Sequence, residues 1–263
     1  WLQVVAAGWL IFELTDSPAA VGALALVARA PAIILSTYAG RLADRFHRRS
    51  VGIATFALQA IGAGTLAILA SVDRATPAII YICTAIVGIG FALGLPSMLA
   101  LVGVLAGRDR LPGAIALNAA GINVARLAGP ALGGLLLATA GAAACFAVNA
   151  ASFLVLIVVL GRLDTFPPAE PGARADTREA LSYARHDAAS RRLLVGMAIF
   201  AMLASPVQEL APVMAAELGV GEVGLGILLG AMGGGALLGA WLLARLERAS
   251  YPRHHAIPVA TTA

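Results

Sequence analysis

The segment AGRLADRFHRR, residues 39–49, places one acidic side chain, one histidine and four arginines within eleven positions, between two apolar runs. Arginines beside apolar runs can simply anchor a chain at a membrane surface. That explanation does not account for Asp44, which can pair with a neighbouring arginine or interact favourably with the N-terminus of a helix. The cluster therefore predicts either an anchor or a moving part that forms and breaks ion pairs.

Two further arginines, Arg29 and Arg126, lie near the middle of long apolar runs. An arginine at the centre of a membrane helix costs at least ~2.5 kcal/mol, so it must face a partner or water. Asn118 and Asn123 share the run of Arg126, and Asn149 lies in the next run. We predict that these residues line a polar cavity; the alternative is that they form buried structural pairs or bind backbone carbonyls.

Chemistry of other kinds has little support in the sequence. Glu209, beside Gln208, lies toward the end of a later apolar run, where a partly buried carboxylate can carry a proton or simply form part of an interface. GVGEVG (219–224) follows no strand and precedes no lysine, so it is no phosphate loop. Cys83 and Cys145 match no metal or redox spacing and are interpreted as small apolar packing residues. We expect no enzyme activity, no cofactor and no metal.

The composition explains why these charges stand out. Of the 263 residues, 60% are hydrophobic and 12% are charged, whereas ordinary soluble domains carry about 25% charged residues. A soluble protein of this composition could not present a wettable surface. All 18 basic residues are arginines, which we attribute to the GC-rich codons of a bacterial genome.

Apolar runs long enough to cross a membrane recur along the chain, since a spanning helix needs about 20 such residues. They lie at 1–14, 18–40, 51–71, 77–104, 112–138, 143–161, 193–214 and 222–244. All are too long for strands, and the many glycines suit close helix packing in lipid. The predicted fold class is an all-α polytopic membrane protein. Because the first run is short and begins at Trp1, we expect a fragment of a longer protein.

The arginines fall on alternate loops. One set of loops contains fifteen of them, whereas the other set contains only Arg74. Cytoplasmic loops carry an excess of basic residues. The N-terminus and the central loop are therefore predicted to be cytoplasmic, with ELTDSP (13–18) outside, in the inner membrane of a bacterium. The net charge of +4 then reflects the inner membrane surface and not a partner nucleic acid.

A polar segment over 164–192 interrupts the series of apolar runs. Prolines stand at its start, and Asp176 followed by Glu179 can form a capping box. We predict a helix over about 177–190 that lies along the inner surface of the membrane.

This segment divides the chain into two unequal parts. We predict an N-terminal six-helix bundle over 1–163 with a truncated first helix, a cytoplasmic linker over 164–192, and the start of a C-terminal bundle over 193–263. That last part would hold helices 7 and 8 and the beginning of helix 9. The runs 21–45 and 223–248 are weakly alike, as in the internal repeats of transporters.

GRLADRFHRR resembles the loop between helices 2 and 3 of the major facilitator superfamily, whose pattern is G-x-L-a-D-r-x-G-r-[RK]. His47 stands where the pattern has its second glycine. The matching residues are Gly40, Leu42, Ala43, Asp44, Arg45, Arg48 and Arg49. The resemblance implies a conformational latch, in which Asp44 bridges to a helix of the other half and stabilises the outward-open state.

GPALGG (129–134) is similar to the core of the antiporter motif in helix 5 of the same superfamily, although Ala125 stands where an upstream glycine is expected. The matching residues are Gly129, Pro130, Gly133 and Gly134. By this resemblance they would set a close helix contact or a kink and prevent leak, without touching substrate. AIVGIGFALG (85–94) lacks the arginine that helix 4 carries in many drug antiporters.

Further segments in order along the chain, ELTDSPAAVG, NAAGINVARLAGPALGG, NAASFL and REALSYARHD, resemble the enterobactin-exporter-like branch of bacterial efflux proteins. The resemblance implies a helix bundle of the major facilitator type, with a complete or nearly complete N-terminal half. It also implies a monomeric secondary transporter that exports a drug-like or siderophore-like small molecule by proton antiport with alternating access. Two alternatives stay open: nutrient uptake or facilitated diffusion by the same fold, and a transport-dead membrane sensor or scaffold.

Overall fold

A computed structural model describes most of the chain before the linker and a short part after it. The described residues are 1–163, 187, 191–192, 195–196, 199, 210–231, 234–235 and 238. The helix expected over 177–190 lies outside the described residues except for position 187, and Glu209 lies outside them too. All regular elements in the described part are α-helices, which confirms the all-α fold class.

The first two helices are joined by a tight turn. α1 spans Leu2–Thr15 and α2 spans Pro18–Ile34. Asp16 adopts a left-handed conformation with φ 47, and its N–H donates to the carbonyl of Phe12 at 2.7 Å. Pro18 then starts α2 at a position where its missing N–H costs nothing.

The apolar run over 18–40 forms a bent pair of helices instead of one straight helix. α3 spans Ser36–Arg45, and its first part is turned 51° from the axis of α2. Pro31 lies inside α2, where a proline removes a helical hydrogen bond and clashes with the preceding turn. The bend carries the segment 40–45 away from the direction of α2.

The next part of the chain is almost continuously helical. α4 spans Arg48–Ser71, and a helical stretch over Pro77–Arg162 follows it. Non-helical backbone interrupts that stretch at Gly107 (φ 69) and Gly141 (φ 76), a conformation that glycine adopts without steric cost. The three resulting helices are α5 (Pro77–Gly107), α6 (110–140) and α7 (142–162). After the linker come α8 (Ala211–Glu217) and α9 (Gly221–Ala231).

Three described stretches are long and apolar enough to cross a membrane, and the bent pair of α2 and α3 makes a fourth. The three are Arg48–Ser71, Pro77–Gly107 and Arg110–Arg162. The last would be about 80 Å long as a single helix, far more than a hydrocarbon core of about 30 Å. The break at Gly141 therefore turns it into two spans, as the two apolar runs of the sequence predicted.

The buried core draws on helices from both sides of the linker. Its largest fully buried apolar side chains are Phe146, Ile11, Leu66, Ile80 and Leu225. Outward-facing side chains are also apolar: Ile33 is 78% exposed and Leu117 75% exposed. A surface with so many exposed apolar side chains is unfavourable in water. The outer surface of this bundle is therefore suited to contact with lipid.

Candidate functional site

α6 passes from an exposed to a buried environment along its length. Every side chain from 119 to 126 is exposed, whereas Pro130, Gly133, Gly134 and Leu137 are buried. The first half of the helix, called its open half below, is thus uncovered by the described residues, and the second half is packed among other helices. The polar residues and the antiporter-like residues of this helix therefore lie in different surroundings.

Gly129 and Gly133 contact the beginning of α1. A Cβ atom built on Gly129 would lie 2.6 Å from Cβ of Trp1, and one built on Gly133 would lie 3.4 Å from Cα of Leu2. The first distance is too short for any real side chain. Glycine at 129 therefore permits the close approach of the two helices.

Gly134 contacts a helix that follows the linker. A Cβ atom on Gly134 would lie 2.7 Å from the backbone nitrogen of Gly226 in α9, and one on Gly230 would lie 3.5 Å from Cβ of Ala131. The segment GPALGG thus lies where α1, α6 and α9 meet. Its role in preventing leak stays a prediction.

A second contact joins α1 to α8. A Cβ atom on Gly8 would lie 3.1 Å from Cγ of Pro212. Gly134 and Gly226 lie within about 9 Å of the end of α6 and of the start of α9, whereas Gly8 lies in the middle of α1. Among the described residues, the contact between Gly134 and Gly226 therefore lies toward the end of α6 that precedes Gly141.

The guanidinium of Arg126 stands over the indole ring of Trp1, with Cζ 5.6 Å from the ring centroid. This distance is within the range of a cation–π interaction. Arg126 and Asn123 are exposed, and Asn118 is half-buried. The structure thus places the predicted polar residues of α6 along its open half.

Asn149 is bonded to α1 and lies apart from Arg126. Its Nδ2 donates to Oε1 of Gln3 at 2.5 Å, and Gln3 is 7% exposed. Trp1 and Gln3 are two positions apart, which is about 200° around a helix, so their contacts lie on nearly opposite sides of α1. Sequence reasoning missed Gln3, although an amide within the first apolar run was a signal for it.

Arg29 lies on the exposed side of α2, two positions before Pro31. That position is just before the bend between α2 and α3, about three helical turns from either end of the run 18–40. A place for Arg29 in the same cavity as Arg126 stays a prediction.

The segment with the loop motif begins on α3. Gly40 and Leu42 are half-buried, and Arg45 is exposed in the last turn of the helix. The side chain of Asp44 lies outside the described part of the structure. Its predicted bridge to a helix of the other half stays a prediction.

The motif ends on the first turn of α4, which packs against the end of α7. Nη2 of Arg49 donates to the carbonyl of Gly161, and a Cβ atom on Gly52 would lie 2.9 Å from Cδ1 of Leu160. The last carbonyls of a helix have no partner within it, so Arg49 satisfies one of them. Nε of Arg48 is buried without a hydrogen bond to the residues described here.

The glycines within 85–94 pack closely against α4. A Cβ atom on Gly90 would lie 2.9 Å from the carbonyl oxygen of Thr55, and one on Gly94 would lie 2.6 Å from its Oγ1. That Oγ1 donates to the carbonyl of Val51 at 2.8 Å. These glycines therefore set the distance between α4 and α5.

Thiol and carboxyl groups form no metal-binding arrangement in the described parts of the chain, where no three His, Cys, Asp or Glu residues gather. Cys83 and Cys145 are free and buried. Their surroundings fit the predicted role of small packing residues.

Comparison with known proteins gives a consistent set of relatives. The family profile described as transmembrane secretion effector (MFS_3) matches residues 1–261. Among curated proteins, the chain is similar to the enterobactin exporter EntS of Citrobacter koseri and of Shigella boydii, each 30% identical over 216 residues, and of Escherichia coli, 29% identical. These matches cover 81% of this chain and 52% of each relative, so the chain spans about half the length of the curated relatives it matches. No solved structure matches significantly.

Proposed function

The chain belongs to the transmembrane secretion effector family of the major facilitator superfamily, and from this premise we propose that the full-length protein is a secondary active exporter of a small molecule. Membership confirms the resemblance based on the loop and helix-5 segments, together with the helix-bundle fold. The family is one of multi-pass membrane transporters. Export, its substrate and its coupling to protons belong to the proposal.

The observation that carries the proposal is the backbone contact between Gly134 and Gly226. It joins a helix before the linker to a helix after it, toward the end of α6 that precedes Gly141. On the opposite half of α6, residues 119–126 are exposed. Alternating access works by rocking two bundles around a central site, and this arrangement suits a state closed on one side and open on the other.

The distribution of arginines supports an orientation for this state. With the arginine-rich loops in the cytoplasm, the closed side faces outward and the open half of α6 faces inward. An exporter must take up its substrate from the inside, so this state would be the one that loads it. We place the protein in the inner membrane of a bacterium as a monomer, with the N-terminus and the linker in the cytoplasm.

The proposed substrate is drug-like or siderophore-like, and protons are the proposed coupling ion. The curated relatives are named as enterobactin exporters, which supports a siderophore-like compound. Arg126 supplies a polar group on the open half of α6, and Asp44 is the proposed latch. Glu209 is the proposed proton carrier.

Efflux from cells that express the full-length protein tests the proposal. Loading the cells with a fluorescent drug and adding a protonophore should abolish active efflux, while a variant with Asp44→Ala should export more slowly. Efflux that continues at the same rate after the proton gradient collapses contradicts antiport.

Two other outcomes of the same test would point elsewhere. Gradient-driven accumulation in right-side-out vesicles, with none in inverted vesicles, would indicate uptake. Equilibration without accumulation in both kinds of vesicle would indicate facilitated diffusion. A transport-dead sensor or scaffold predicts no transport in either, together with a cellular phenotype that Arg126→Ala and Asp44→Ala leave unchanged.

A further inference from the structure

We propose that Arg126, supported by the ring of Trp1, binds the negatively charged group of a small organic anion, and that such anions are the substrate class of the transporter. The inference rests on the proposed export function for its biological meaning. Its physical content is a binding preference that can be measured without transport.

The depth of Arg126 in the membrane is the first argument. It lies about 24 Å along α6 from Arg110 and about 21 Å from residue 140, at 1.5 Å per residue. An arginine near a helix end can extend its side chain to the membrane surface, but both ends are too far away here. The described residues leave this side chain uncovered. Because exposure of a guanidinium to hydrocarbon would be costly, it must face a hydrated opening or a polar group of another helix.

The contacts of Arg126 are the second argument. In the described part of the chain, its contact is the face of the Trp1 ring, with Cζ 5.6 Å from the centroid. An indole ring attracts a cation but carries no formal negative charge. The positive charge of Arg126 is therefore not neutralised by this contact, and low-dielectric walls strengthen the attraction of an anion to the opening.

The support of the guanidinium is the third argument. Gly129 lets the base of Trp1 approach α6, since a Cβ atom there would lie 2.6 Å from Cβ of Trp1. One turn earlier on the same helix, Arg126 stands over the ring. A guanidinium can stack on a ring while its planar fork of N–H groups stays suited to a carboxylate. Asn123, exposed beside it, supplies an amide donor for a second polar group.

The test is a binding titration of the full-length protein in lipid nanodiscs with salicylate and with its neutral amide, salicylamide. These probes have nearly the same shape and differ in charge. Calorimetry should show that salicylate binds with a Kd about tenfold lower than salicylamide, as expected for a hydrogen bond to a charged group. Arg126→Gln should remove this preference, and Arg126→Lys should retain part of it.

Arg41→Gln is the matched control. Arg41 also stands near an aromatic ring, with Cζ 6.0 Å from the centroid of Tyr38, but it lies on α3 and not on α6. This variant should keep the full preference for salicylate. If Arg126→Gln does not fold, the decision rests on the wild-type comparison together with Arg126→Lys.

Equal binding of the two probes to the wild-type protein, or no binding of either, overturns the inference. A preference that survives Arg126→Gln overturns it too. A protein that prefers salicylate but shows no gradient-driven efflux keeps the anion site and loses the proposed function. Gradient-driven efflux without any preference for the anion keeps the proposed function and overturns the anion site.

Discussion

Gly134 of α6 and Gly226 of α9 bring two helix backbones into direct contact: a Cβ atom on Gly134 would lie 2.7 Å from the nitrogen of Gly226. The two residues belong to helices on opposite sides of the linker. No larger side chain fits at this distance. In lipid, helices associate through close packing and not through a hydrophobic driving force, so the two glycines make this contact possible.

Gly134→Ala should therefore push α6 and α9 apart. We expect a loss of about 1–3 kcal/mol in the free energy of unfolding, the range for overpacking, and faster passive proton leak in liposomes. Thermal unfolding in detergent and a pH-sensitive dye inside the liposomes measure the two effects. Gly121→Ala is the control, because nothing lies within 4 Å of a Cβ atom at Gly121; equal behaviour of the two variants contradicts the prediction.

A disulfide should form between cysteines placed at Ala131 and Gly230. A Cβ atom on Gly230 would lie 3.5 Å from Cβ of Ala131, within the range for a disulfide. Oxidation of Ala131→Cys/Gly230→Cys, with both native cysteines replaced by alanine, should abolish transport until a reductant is added. A protease site in the linker lets a denaturing gel report the cross-link.

The control for this cross-link is Leu132→Cys/Gly230→Cys. Leu132 is 57% exposed and points about 100° away from Ala131 around the helix. It should remain uncrosslinked under the same oxidation. Efficient cross-linking of both pairs would show that the helices are not held in the arrangement described.

Arg49→Gln should weaken the attachment of α4 to the end of α7. The variant loses the charged hydrogen bond to the carbonyl of Gly161, and we expect a loss of about 1 kcal/mol in stability, because a partly exposed bond contributes less than a buried one. Thermal unfolding of the full-length protein in detergent measures it. Arg45→Gln, which removes an exposed arginine in the same motif, should have no measurable effect on stability. An equal loss in both variants would show that it comes from removing a positive charge and not from losing the hydrogen bond to Gly161.

The pair Gln3 and Asn149 should show coupling in a double-mutant cycle. Each single change to leucine leaves one amide without its partner and should cost about 1 kcal/mol. The double variant should cost less than the sum, with a coupling energy of about 0.6 kcal/mol, as for other hydrogen bonds within membranes. Unfolding in mixed detergent micelles gives the four free energies, and additive costs would argue against the bond.

Hydropathy predicted the helices well because a spanning helix needs a long apolar run. Such a run can be read from the local sequence without knowing the rest of the fold. The break at Gly141 followed from two adjacent apolar runs. Pro31 was visible in the sequence, but the angle of 51° between α2 and α3 was not.

The pairings between helices could not be predicted in the same way. Asn149 and Gln3 are 146 positions apart, and Arg49 and Gly161 are 112 apart. The face of one helix is readable from its own period, but the helix that covers this face depends on the whole bundle. Gly134 was therefore recognisable as a contact residue, whereas its partner Gly226 was not.

The bend at Leu35 makes α3 a lever arm for the motif that it carries. Arg45 lies about 15 Å from Leu35 along the helix, so a rotation of about 10° at the bend would displace this end by about 3 Å. That is as long as one hydrogen bond. A small change of angle where α2 meets α3 is therefore enough to make or break a polar contact at the surface of the membrane.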